Sequence, residues 1–241
     1  MSEHYVLNLD GVSLRCSFQF PETPGFFGKW CHGPFPGTGN VFVTEDYWAG
    51  WQREIGPKNA QSEYSAFASF ASVSLMPCQR CLFHGVAFRW KDGAYLLSAP
   101  SGVGKSTIYK ALEDSDGDTF SVISGDRPLL SFLADGSIQV CPTPWNGKEG
   151  WHGAASAPLR SVILLRRGEQ NAAVRLSDRD AAARLYASFI QTAEDGDEMR
   201  LVAGFASKVL RTVPVWDLCD HDIPGAVKVL LEDILQGGVQ T

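Results

Sequence analysis

The sequence is first informative for what it lacks. No apolar run approaches the roughly 20 residues that span a bilayer; the longest, residues 161–165 and 227–231, are short. A membrane-spanning segment is therefore not expected. The 21 Lys and Arg residues are scattered and outnumbered by 27 Asp and Glu, for a net charge of −6. No basic stripe exists to follow a polyphosphate backbone, so a nucleic-acid partner is not expected either. The start, Met1-Ser2-Glu3-His4, carries an acid and lacks the basic and long apolar stretches of a signal peptide, which makes a cytoplasmic protein the expectation. Six cysteines in 241 residues read as reduced thiols, not a disulfide framework. Cys78 and Cys81 suggest zinc, with Cys31, His32 and His84 as partners, but the second half of a paired ligand pattern is missing. Internal repeats and low-complexity tracts are absent as well.

What remains is an ordinary globular composition, 44% apolar and 20% charged. It suits one compact α/β domain with a small appended lobe. Residues 1–80 read as a β-rich N-terminal lobe with loops, residues 81–241 as the main domain. Val12 to Phe20 alternates apolar and polar residues, a half-buried strand that Asp10-Gly11 turns back onto Tyr5–Leu9. Residues 21–40, crowded with Gly, Pro and aromatics, read as an irregular loop. Residues 81–90 and 94–98 form two strands around Lys91-Asp92-Gly93, with His84 on the first. Phe120–Ile123, 129–133, 137–141, 161–165 and 213–218 complete the strand set. Helices are expected after residue 106, after Ser177 with its capping pattern, over 198–210, and from Pro224 to Leu235.

The chemistry concentrates in Ser101-Gly102-Val103-Gly104-Lys105-Ser106-Thr107, placed after a strand and before a helix. Small residues let successive backbone N–H groups turn inward on phosphate oxygens, and a helix start favours negative charge. Lys105 is set to reach the terminal phosphates and Ser106 to face magnesium, as in the G-x-x-x-x-G-K-[ST] pattern. The first position of that pattern holds Ala99 instead of glycine. About 20 residues on, Asp126 ends a strand where a magnesium ligand or hydroxyl-activating base would stand; a turn aspartate is the alternative. Arg127 suits either a phosphate or a neighbouring acid. The stretch Cys141 to His152, with Trp145, Lys148 and Trp151, suits an acceptor-binding loop, or equally a loop pinned by tryptophan.

His84-Gly85-Val86, Leu96-Leu97, the glycine loop and Gly125-Asp126-Arg127 follow one another in the order of HPr kinase/phosphorylase catalytic domains, which the chain resembles over about residues 81–235. The Pro-Trp-x-Gly stretch at Pro144–Gly147 is similar to a loop of the same proteins. The resemblance implies a P-loop, phosphoenolpyruvate-carboxykinase-like α/β fold, a mixed sheet with flanking helices. It implies catalytic roles for Lys105, Asp126 and His84, nucleotide binding by residues 101–107, magnesium at Ser106 and Asp126, and acceptor contacts from Arg127, Trp145 and Lys148. ATP and Mg2+ are the implied cofactors, and a homo-oligomer the implied assembly. The chain departs from the family at Gly125, where a second aspartate is usual, and in its first 80 residues. The expected activity is transfer of the γ-phosphoryl group of ATP to a hydroxyl of a protein, peptide or small molecule. The alternative is a nucleotide-binding regulatory module without turnover. A carboxykinase proper is disfavoured by the short chain.

Overall fold

The computed structural model describes residues 4–35, 52–53, 56–115, 117, 119–153, 155–191 and 196–237. The chain starts with β1 (His4–Leu9) and β2 (Val12–Cys16), paired antiparallel through Asp10-Gly11, both at positive φ as a two-residue hairpin turn requires. A short helix α1 (Thr23–Phe27) leads through one 3-10 turn to β3 (Cys31–Phe35), which pairs with β1. The expected irregular loop thus contains a helix and a strand; its residues 36–40 lie outside the described residues. Helix α2 (Ala60–Leu75) begins at Asn59, whose side chain accepts from the Ser62 amide while Ser62 answers with its hydroxyl oxygen.

The larger sheet has nine strands among the described residues. They are β4 (Arg80–Leu82), β5 (Val86–Trp90), β6 (Gly93–Ser98), β7 (Phe120–Ser124), β8 (Leu129–Phe132), β9 (Ile138–Cys141), β10 (Ala157–Arg167), β11 (Ala172–Arg175) and β12 (Val215–Asp220). The order β4-β8-β9-β10-β6-β5-β7 continues off β10 through β12 to β11. The pairs β10/β6 and β10/β12 are parallel and the rest antiparallel, so the sheet is mixed.

Helices cover both faces. On one, α4 (Asp178–Ser188) and α5 (Gly196–Thr212) pack Leu185, Val202 and Phe205 against Leu96, Val162 and Leu164. On the other, α3 (Lys105–Ser115) and α6 (Ile223–Val229), prolonged as a π-helical stretch over Leu230–Gln236, pack Ile108, Leu112 and Leu230 against Leu97, Ile163 and Leu165. Because β6 and β10 are covered on both faces, they read as continuous apolar runs. The α4 start follows its sequence signal, since Ser177 accepts from the Asp180 amide.

The N-terminal elements share a third apolar cluster with the sheet, in which Phe27, Phe67 and Phe70 meet Leu82, Leu129 and Trp145. A polar stitch reinforces it. The Glu63 carboxylate, fully buried, accepts from the Gln19 amide at 2.8 Å and the Thr23 hydroxyl at 2.5 Å. All six cysteines are free. No described helix is long and apolar enough to cross a membrane.

Candidate functional site

The glycine loop joins the carboxyl end of β6 to the start of α3. Gly102 and Gly104 stand at φ +82° and +122°, where a side chain is disfavoured. Ala99 is not among the positive-φ residues, so its methyl group causes no left-handed strain where the common motif has glycine. It points into the apolar core, 7% exposed. Behind the loop, Arg167 at the end of β10 places Nη1 2.6 Å from Oδ2 of the fully buried Asp220. Its other terminal nitrogen lies 3.2 Å from where a Cβ on Gly104 would be.

A cleft of about 430 Å³ opens in front of the loop. Ser101, Gly102, Gly104, Lys105, Ser106 and Thr107 form one wall; His84, Asp126 and Lys148 stand opposite or beside them. Val103 is the exception in the loop, packing against the apolar core instead. Lys105 Nζ donates to the Ala99 carbonyl at 2.9 Å and lies 3.4 Å from His84 Nε2. His84 Nε2 lies in turn 3.7 Å from Asp126 Oδ1. Lys105 and Asp126, read from their motif positions, and His84, given a role only by the family resemblance, thus form a chain, ammonium to imidazole to carboxylate.

Local architecture explains the convergence. His84 does not lie on a strand as expected; it occupies a bend between β4 and β5. Its amide donates to the Ser188 carbonyl at 2.7 Å, and the next amide, of Gly85, donates to the Asp126 carbonyl at 2.8 Å. The His-Gly and Gly-Asp-Arg elements, 40 residues apart, are therefore hydrogen-bonded neighbours.

The electrostatics follow from partial burial. Desolvation is the largest influence on His84 and lowers its pKa, the Lys105 ammonium lowers it further, and Asp126 opposes both. The Lys105 ammonium is also held below its ordinary value by burial, with Asp126 and Glu149 pulling it back up. Glu149, on the cleft wall beside Lys148, was not singled out from the sequence; an exposed acid in a turn-rich stretch carries no signal of its own.

Two expected acceptor contacts are placed elsewhere. Trp145 is 2% exposed and faces the N-terminal cluster, where Nε1 donates to the Tyr64 carbonyl at 3.0 Å and the ring meets Phe27 edge-on at 5.8 Å. A large apolar ring gains more from that burial than from a wet cleft. Arg127 does not line the cleft. Its Nε lies 3.2 Å from Asp126 Oδ2, and Nη1 donates to the Ser65 carbonyl at 3.0 Å. Lys148 does reach the cleft wall.

No group of three or more His, Cys, Asp or Glu side chains able to hold a metal occurs among the described residues. The cleft offers the Ser106 hydroxyl and the Asp126 carboxylate. Two oxygen donors with room for phosphate oxygens and water suit Mg2+, which is usually held this way.

No family model matches the sequence, and no curated protein matches it. Among solved structures the chain is similar to the Hpr(Ser) kinase/phosphatase from Coxiella burnetii, with a TM-score of 0.36 and 9% identity over 65% of this chain and 97% of that one. At that identity no residue's role passes from that protein to this one.

Proposed function

We propose that the protein is a phosphotransferase that moves the γ-phosphoryl group of ATP to a hydroxyl acceptor. The observation that supports this most is the meeting of Lys105, His84 and Asp126 across one cleft whose other wall is a glycine loop at a helix start. In this reading the loop amides and Lys105 neutralise the phosphate charge that shifts during transfer. Mg2+, held by Ser106 and Asp126, would supply further charge neutralisation. The acceptor hydroxyl gives its proton to Asp126, while the largely uncharged His84 ring orients that carboxylate. Arg127, tied to Asp126 and to α2, fixes the carboxylate from behind.

Calorimetric titration of MgATP into the wild type and Lys105→Ala tests the loop. The variant should lose affinity by roughly tenfold or more, since it lacks the ammonium that faces the terminal phosphates. Equal affinity would overturn the assignment. A regulatory module without turnover differs in one readout: it binds MgATP yet releases no labelled γ-phosphate in a single turnover.

A further inference from the structure

A second cavity of about 350 Å³ adjoins the phosphate cleft, and His84 lines both. Its other walls include Ala99 and Pro100 at the start of the glycine loop, Leu164 on β10, Arg184 and Ala187 on α4, and the hydroxyl residues Ser98 and Ser188. The Lys105 ammonium stands at the partition, 2.9 Å from the Ala99 carbonyl, 3.5 Å from that of Pro100 and 3.4 Å from His84 Nε2. A phosphoryl group held by Lys105 would therefore face this cavity. We propose that the cavity seats the phosphoryl acceptor and that the acceptor is a small hydroxy acid, a class in which one short carbon frame carries both a hydroxyl and a carboxylate.

The walls are largely apolar with few polar groups, as in small-molecule sites, and the volume is at the small end for such sites. That fits a frame of a few carbons. The carboxylate follows from a charge imbalance at Arg184. Its guanidinium pairs with Asp217, but the same carboxylate also takes Arg166 Nε at 2.7 Å, so one acid faces two guanidiniums. Arg184 is further fixed by donation from Nη2 to the Leu164 carbonyl at 2.9 Å. Arg184, Arg166 and Asp217 together carry one net positive charge, and Arg184 is the guanidinium of the pair that lines the cavity; a carboxylate is the planar anion a guanidinium matches best.

The proposal rests on the kinase reading and specifies its substrate. The acceptor hydroxyl oxygen forms a bond to the γ-phosphorus. The bond from that phosphorus to the bridging oxygen breaks, its electron pair leaving on ADP, and the hydroxyl proton passes to Asp126. The products are a phosphohydroxy acid and ADP.

The test uses the full chain, MgATP labelled at the γ-phosphate, and D-glycerate, L-serine and glycerol as acceptor probes, with glycerol supplying hydroxyls but no carboxylate. Transfer to glycerate or serine and not to glycerol is the expected result. Ala187 is exposed on α4, so Ala187→Glu and Ala187→Trp should fold; both should raise the acceptor KM about tenfold while leaving MgATP affinity by calorimetry unchanged. Ala182→Glu, on the same helix but outside the cavity wall, should change neither. Binding of MgATP without transfer to either acid would overturn the acceptor proposal and leave the nucleotide reading standing. Equal KM values in the Ala187 variants, or phosphorylation of a serine peptide untouched by Ala187→Trp, would overturn it too. Failure of the wild type to bind MgATP would remove both readings together.

Discussion

Gly125 faces the backbone of Asn146 so closely that a Cβ on it would lie 2.6 Å from the Asn146 carbonyl oxygen and 3.1 Å from the Cβ of Trp151. The departure from the paired-aspartate pattern at this position is thus structural. Gly125→Asp, which would recreate that pattern, should destabilise the fold and gain no activity, because the obstructing atom is backbone and cannot swing away. Urea denaturation checks it; a variant of unchanged stability and raised turnover would contradict the account.

Asp126→Asn preserves shape while removing the charge. We expect melting within a few degrees of wild type and loss of phosphoryl transfer by about a hundredfold or more, the range for removal of a positioned proton acceptor. Unchanged transfer with unchanged magnesium dependence would count against its role.

The His84 pKa, lowered by burial and then by Lys105, predicts a pH effect of definite sign. The unfolded chain, with His84 near its ordinary 6.5, binds that proton more readily than the folded one. Above that value the residue contributes no pH dependence. As pH falls through 6.5 toward the lower folded value, the fold loses stability. Urea melts at about pH 7.5 and about pH 5.5 should differ less for His84→Gln than for the wild type. An identical difference in both proteins would refute the assignment.

Trp145→Ala should cost about 3–5 kcal/mol, the usual penalty for deleting a buried large aromatic. In the protein that remains folded, acceptor kinetics should stay near wild type. A raised acceptor KM without loss of stability would restore Trp145 to the site.

Much of the site was legible in the sequence because it is built from short segments whose residue types have few other uses. Gly102, Gly104, Lys105 and Ser106 fall within five consecutive residues, and they lie where a strand gives way to a helix, as expected. Asp126 was legible as chemistry and His84 only through the family resemblance, and neither was legible as the other's neighbour, since their contact depends on backbone hydrogen bonds between distant bends. Helix α2 escaped notice because its buried Phe67, Phe70 and Leu75 are interleaved with Ser and Ala, which dilutes the apolar stripe. Strand β3 was hidden among Gly and Pro. Trp145 was ambiguous by nature, since a tryptophan in a turn-rich stretch serves equally as an anchor or a contact. Arg184 gave no signal: its partner Asp217 is 33 residues away, and only the folded sheet brings them together.

The segment after β9 has two attachments. Trp145 is sunk in the cluster beneath the N-terminal strands, and three residues later Lys148 lines the cleft. Three peptide units thus join the buried indole of Trp145 to the Lys148 side of the cleft. The socket that Phe27, Tyr64 and Phe67 offer the Trp145 ring is therefore a feature that any transplant of residues 81–241 onto another N-terminal segment has to reproduce.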